Sequence, residues 1–175
     1  METSYPKLIR NAAPADAAAL LAIYAPYITD TCVSFETEAP TVEEFAMRIA
    51  GIIKDYPYLV CEIGGQIVGY AYASRHRERA AYLYSADVSV YVAPEHHRRG
   101  VGRALYTRLF ALLKEQGIRM TFAGVTLPNE GSVGLHRAFG FRSVGVYHNV
   151  GYKLGQWLDV LWLEKQIGDC GAREK

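Results

Sequence analysis

The sequence predicts a single α/β layer domain, and three observations carry that prediction. Short apolar or alternating runs are interleaved with stretches whose apolar residues recur every three to four positions, so strands and helices mix along one chain. The 175 residues are half apolar and 21% charged, an ordinary globular balance. No internal repeat or low-complexity linker divides them. A chain of this length buries about 70% of its unfolded surface, enough for a core without disulfides or metals.

The elements follow in order. Leu8-Ile9-Arg10 is a short first strand. Pro14 and Asp16 open an Ala/Leu-rich helix running to about Ile28. Thr41-Val42-Glu43-Glu44 reads as a capping box, and its helix runs to about Lys54 with Phe45, Ile49 and Ile52/Ile53 on one face. Tyr58 to Ile63 and Ile67 to Ala73 are strands joined at Gly64-Gly65, since both glycines tolerate positive φ. Tyr82 to Val92 reads as one long strand ended by Pro94. A loop over 95–100 feeds a helix from about Gly102 to Gln116, with Leu105, Leu109, Leu112 and Leu113 as its buried stripe and Gly117 as its stop. Arg119 to Val125 is a strand, Pro128-Asn129 leads a short helix ending near Phe139-Gly140, and 141–167 alternates like two strands joined around Gly155. The domain is expected to fill 1–167, with 168–175 as a polar tail.

Composition narrows the function. Nineteen Lys+Arg against 18 Asp+Glu leave a net charge of +1, against a dedicated nucleic-acid binder. Cys32, Cys61 and Cys170 are scattered with no CxxC pair, which favours reduced thiols in a cytoplasm over a disulfide framework or zinc site. No run approaches the roughly 18 apolar residues of a membrane span, and Met1 to Pro6 lacks the basic and apolar regions of a signal peptide. His96 and His97 are adjacent, a poor geometry for one metal, so no metal is expected.

The loop His97-Arg98-Arg99-Gly100-Val101-Gly102-Arg103 lies between a strand and a helix. Two glycines let a ligand approach the backbone, and the helix start supplies unpaired N–H groups and a positive dipole end. A P-loop is excluded because Arg103-Ala104 follows Gly102. A dinucleotide fingerprint is excluded because Leu105 holds the third glycine position. A pyrophosphate held by backbone amides survives, as does a plain basic turn.

Val90-Tyr91-Val92, then Gly100-Val101-Gly102 and Arg103-Ala104-Leu105-Tyr106, resembles the acetyl-CoA motif [QR]xxGx[GA] of the GNAT N-acetyltransferases, with His97 in the Gln/Arg position. Thr31 to Pro40, Ala81-Tyr82, Pro128-Asn129 through Ser132 to Leu135-His136, and Val150 to Lys153 with Trp157 to Val160 resemble its phosphinothricin and methionine sulfone/sulfoximine acetyltransferase branch. The likeness spans about 8–165. It implies a mixed, twisted sheet splayed between its fourth and fifth strands, with helices on both faces and the pantetheine of acetyl-CoA paired to the edge Val90-Tyr91-Val92. It also implies a homodimer, with the C-terminal hairpin walling the acceptor site and Trp157 in core or interface.

Acetyl transfer to an amine needs a base, a polarised carbonyl and a protonated leaving thiol. Asp87 is the candidate base, in Ser85-Ala86-Asp87-Val88-Ser89 where the family carries Glu. Its side chain is shorter by about 1.5 Å, which favours a relaying water; the plain alternative is a pair with Arg75, Arg77 or Arg79. His136 occupies the place of the family's general-acid tyrosine, as acid or positioning group near the sulfur. By resemblance Val90, Tyr91, Val92, His97, Arg98, Arg99, Gly100, Val101, Gly102, Arg103, Asn129 and Ser132 bind the cofactor, although Asn129 equally suits an N-cap. Phe35, Glu36, Arg77, Arg79, Tyr82 and Ser85 are the acceptor candidates, the guanidinium fork suiting a carboxylate or phosphinate. The expected function is direct transfer of acetyl from acetyl-CoA to the amine of a small amino acid or analogue in a ternary complex. The alternatives are acetylation of a protein N-terminus or lysine, or a non-catalytic acyl-CoA sensor.

Overall fold

The computed structural model describes residues 6–171. The reading of Met1 to Tyr5 and the end of the expected tail, 172–175, lie outside the described residues. Seven strands form one sheet in the order β1-β2-β3-β4-β5-β7-β6, with β1 Lys7–Asn11, β2 Tyr58–Ile63, β3 Gln66–Arg75, β4 Ser85–Val92, β5 Met120–Leu127, β6 Arg142–Lys153 and β7 Gln156–Gln166. Every neighbour pair is antiparallel except the central β4–β5 pair.

Alternation along the strands makes two cores. Helices α3 (Val101–Glu115) and α4 (Glu130–Ala138) cover one face, where Leu105, Leu109 and Leu113 meet Leu59, Ala71, Val88, Ala123 and Leu163. Helices α1 (Ala17–Thr29) and α2 (Val42–Ile52) cover the other, where Leu20, Ile28, Phe45 and Ile49 meet Tyr58, Val60 and Tyr70. The Thr41 capping box forms as expected: Thr41 Oγ1 accepts Glu44 N–H at 3.2 Å and Glu44 accepts Thr41 N–H at 2.8 Å. The β2–β3 turn has φ of 59° at Gly64 and 82° at Gly65, the primed geometry that matches strand twist.

Two boundaries differ from the sequence expectation. Pro14–Asp16 is a 3-10 turn before α1, not its first turn. The segment expected as strand from Tyr82 begins instead with a 3-10 turn over Ala80–Tyr82, and β4 starts at Ser85. Tyr82-Leu83-Tyr84 is a run of large apolar residues, so hydrophobicity alone reads as strand. All three side chains are exposed and outside the strand ladder; Leu83 N–H closes the turn onto the Ala80 carbonyl at 3.1 Å, and the Tyr84 carbonyl accepts Met120 N–H of β5 at 3.2 Å.

The β4–β5 pairing is short. Only Ser85, Ala86 and Asp87 face Met120, Thr121 and Phe122 in register. Beyond Asp87 the two strands separate, which opens the sheet as a V between β4 and β5.

Candidate active site

The V leaves the β4 edge from Val88 to Val92 without a β5 partner. Ser89, Val90, Tyr106, Gly124, Asn129 and His136 line the cleft it opens. By strand alternation Val90 faces the α3/α4 side and Ser89 and Gly124 face the α1/α2 side, so the cleft joins the two faces of the sheet. An extended ligand can enter between the strands and complete the free β4 ladder.

At one mouth of the V stands the N-terminus of α3. Arg98 at φ 60° and Gly100 at φ 76° hold left-handed backbone on either side of Arg99, the pattern that turns successive N–H groups into an anion-binding concavity. Gly100, Val101, Gly102 and Arg103 form the first turn, whose N–H groups have no helical partner. A Cβ on Gly102 would meet Leu135 Cδ2 at 3.0 Å, so glycine there lets the turn sit against α4. Gly69 on β3 does the same from below: a Cβ would meet Val101 Cγ1 at 2.9 Å. The Arg98, Arg99 and Arg103 side chains are exposed around this turn. His97 points away from it. Its Nε2 lies 2.8 Å from Tyr27 Oη and 3.0 Å from the Val92 carbonyl, which Tyr27 also donates to at 2.5 Å. Tyr91 packs its ring among Tyr24, Tyr27 and Tyr70, so only its backbone belongs to the cleft edge.

Asp87 sits at the vertex of the V, on the α1/α2 face. Its carboxylate pairs with none of the three arginines that sequence placed nearby. It accepts a hydrogen bond from His76 Nδ1 at 2.6 Å. Burial pushes the Asp87 carboxyl up from its ordinary range, and the His76 bond and the Arg77 charge pull it back. Arg75 is engaged by Glu78 at 3.1 Å. Arg77 lies 6.0 Å over the Trp162 ring, on the same face as Asp87. Arg79 and Tyr82 stand exposed in the 3-10 turn above, and Ser85 lies two residues before Asp87 on its face of β4.

On the other side of the cleft, His136 is buried and both its nitrogens are occupied. Nδ1–H donates to the Ser132 carbonyl at 2.8 Å, so Nε2 accepts the Tyr106 hydroxyl at 3.0 Å. Burial lowers its pKa and favours the neutral ring, against the Ser132 bond. Proton delivery by His136 itself would require one of these bonds to break, so the geometry suits positioning better than acid catalysis. Asn129 caps α4, its Oδ1 accepting Ser132 N–H at 3.1 Å.

The loop after α1 closes the α1/α2 side. Lys153, buried at the end of β6, donates to the Ser34 carbonyl at 2.6 Å, and Tyr24 Oη meets Ser34 Oγ at 2.8 Å. Phe35 lies on Gly151, where a Cβ would come within 2.4 Å of its ring. Glu36 is paired with Arg48 at 2.6 Å, while its Oε2 is buried with no hydrogen-bond partner among the described residues. Trp157 lies on the surface at 65% exposure, not in the core. His76, Tyr106 and the tie from Lys153 escape sequence reading, because each acts through a partner 11, 30 or 119 positions away.

The Acetyltransferase (GNAT) domain family matches residues 9–162. Over 155 residues the chain is 39% identical to phosphinothricin N-acetyltransferase of Streptomyces viridochromogenes, covering 89% of this chain and 85% of that protein. It is 33% identical over 165 residues to the L-methionine sulfoximine/L-methionine sulfone acetyltransferase of Salmonella typhimurium, covering 94% and 96%. The crystal structure of a phosphinothricin acetyltransferase from Sinorhizobium meliloti in complex with acetyl-CoA superposes at a TM-score of 0.89 with 33% identity, over 93% of this chain and 89% of that one.

Proposed function

Because the chain belongs to the GNAT acetyltransferases and is an acetyl-CoA-dependent enzyme, we propose that it acetylates the amine of a small amino acid or analogue of the phosphinothricin or methionine sulfoximine/sulfone type. The observation that carries this reading is the closed acceptor side. The Phe35 loop is bound down onto the C-terminal hairpin through Lys153 and Gly151, which covers the side of the cleft lined by Val33, Ser89, Gly124 and Thr126 and favours a small acceptor over a peptide. Arg77 over Trp162 supplies a cation for a carboxylate or phosphinate. The names of the two relatives agree with such an acceptor.

The residues present suit acetyl-CoA: a free strand edge for an amide-bearing arm, and a glycine-lined helix start ringed by arginines for phosphates. When bound, it supplies the acetyl carbonyl carbon and carries away the sulfur. The β4 edge of Val90, Tyr91 and Val92 would align the arm, and the N–H groups of the α3 first turn, with Arg98, Arg99 and Arg103, would take the phosphates. His97, turned to Val92, would brace the end of β4. Asp87 would accept, directly or through one water, the proton that leaves the acceptor ammonium, so the neutral amine attacks in a ternary complex. His136, with Tyr106, Ser132 and Asn129, would hold the α4 wall of the cleft. Phe35, Glu36, Arg79, Tyr82 and Ser85 would frame the acceptor.

The same reading makes the protein a cytoplasmic homodimer. Its cysteines are free. No helix of the described residues is long and apolar enough to cross a membrane. The β6–β7 hairpin exposes Tyr147, Val150, Tyr152, Leu154 and Trp157 together. Light scattering should give a dimer, and Trp157→Glu a monomer.

The test of function is thiol release from acetyl-CoA against phosphinothricin, methionine sulfoximine, methionine sulfone, the proteinogenic amino acids and N-terminal peptides. Turnover of the small acceptors with inert peptides is expected. Turnover confined to peptides overturns the proposed substrate class.

A further inference from the structure

We propose that His76 is a positioning residue for acetyl transfer: its Nδ1–H holds one oxygen of the Asp87 carboxylate and leaves the other aimed at the acceptor amine. This rests on the reading of Asp87 as the base and deepens it.

Three features set the pair apart from a casual surface contact. The bond is short, 2.6 Å, from a side chain only 11% exposed. The imidazole is fixed in plane by the Phe122 ring, stacked at 4.2 Å and 17°, and by the Tyr82 edge at 5.6 Å. The protein carries its own contrast in His148–Asp159, which meets at 2.9 Å with side chains 72% and 36% exposed. His76 therefore has one orientation, and Asp87 receives a donor whose direction is set by the sheet.

The arrangement answers the short reach of aspartate. A carboxylate on one methylene stays close to its strand, with one oxygen taken by His76 from the end of β3. Its remaining oxygen then has a defined direction instead of rotating freely. With Nδ1 facing the carboxylate at 2.6 Å, the ring donates from that nitrogen. The other ionisable groups around it are few. Arg77 adjoins His76 and acts on Asp87, and Tyr82 meets the ring edge. Glu164, opposite Phe122 on β7, is engaged by Arg142 at 2.7 Å. Phe122 itself brings no charge. The His76 bond favours the ionised carboxylate, so its loss moves the protonation of the base to higher pH.

The experiment compares His76→Phe, His76→Asn and Asp87→Asn in the full-length enzyme, with L-methionine sulfoximine as acceptor and pH profiles of kcat and kcat/KM. Phenylalanine keeps the stack on Phe122 and removes the donor; asparagine returns an N–H near the Nδ1 position. His76→Phe is expected to lower kcat by about 10- to 100-fold, move the acidic limb upward, and leave acetyl-CoA affinity unchanged. His76→Asn should recover most of the rate. An unaltered kcat and acidic limb in His76→Phe overturns the inference, as does a His76→Asn variant equally slow. If Asp87→Asn keeps full activity, the base assignment fails instead, which separates the two. Should His76→Phe not fold, imidazole nitrogen NMR of the unmodified enzyme decides: a ring carrying a proton on Nδ1 is expected, and a ring protonated at Nε2 alone overturns the proposal.

Discussion

The Asp87 carboxyl is pushed toward its neutral form by burial and toward its ionised form by His76 and Arg77, so its charge is a balance of opposed effects. Its folded pKa lies above the ordinary value. As the proposed base, Asp87 is charged only once pH has climbed through that raised value, and the rate should rise with pH over the same interval. Asp87→Ala is expected to lower kcat by about 10²- to 10⁴-fold near neutrality, with partial recovery at high pH, where the amine deprotonates unaided. A pH–rate profile of the variant checks this; a profile parallel to the parent's removes Asp87 from proton transfer. The position of Asp87 was readable from sequence because its alternation with Val88 and Val90 shows which face it takes. Its partner was not. His76 meets Asp87 only because β3 and β4 pair with Ser74 opposite Asp87, and a register is a property of two strands together.

Local chemistry made several elements legible: the Thr41–Glu44 capping box, the Gly64-Gly65 turn and the Leu stripe of α3 all depend on residues close in sequence. The split of β4 from β5 has no such local sign and was reached through family resemblance. Contacts between elements carry their own predictions. Phe35 rests on Gly151, so Gly151→Ala should push the ring off the hairpin. The expected result is a raised KM for the acceptor with the KM for acetyl-CoA unmoved, because the α3 turn proposed to take the phosphates lies on the opposite face. Steady-state kinetics with each substrate varied in turn tests this, and equal effects on both constants would place Phe35 outside the acceptor site. At the other edge, Arg10 on β1 bonds Asp16 in the first 3-10 turn at 2.8 Å and Glu62 on β2 at 2.7 Å. The Arg10 bond holds the Asp16 pKa below its ordinary value. A depressed carboxylate contributes stability above its unfolded pKa and loses it as pH falls through the folded one. The Arg10→Ala variant should therefore be destabilised at neutral pH and lose less stability than the parent on acidification below about pH 4. Urea titrations at pH 7 and pH 3 measure the difference.

At the scale of the whole molecule, the sheet is two blocks meeting at a short seam. The block β1–β4 joins β5–β7 through three register pairs at the vertex, and through ties such as Lys153 to Ser34 and His136 to Tyr106. A ligand lodged in the V touches both blocks, and it binds only when they are docked. Acetyl-CoA should accordingly stabilise the entire fold by mass action. At a hundredfold excess over Kd the gain is about 2.7 kcal/mol, which for a domain of this size corresponds to a rise in Tm of about 5–10 °C. Differential scanning calorimetry with and without acetyl-CoA measures it. Two variants divide binding from chemistry in the same experiment. Asp87→Ala should keep the shift, since its carboxylate faces the proposed acceptor side. Gly102→Glu should abolish it, because the new side chain has Leu135 Cδ2 3.0 Å from its Cβ and brings negative charge to the helix start that would take the phosphates. A Gly102→Glu protein that folds and still shows the parent's shift would mean that the phosphates are held elsewhere, and the α3 turn would lose its assigned role.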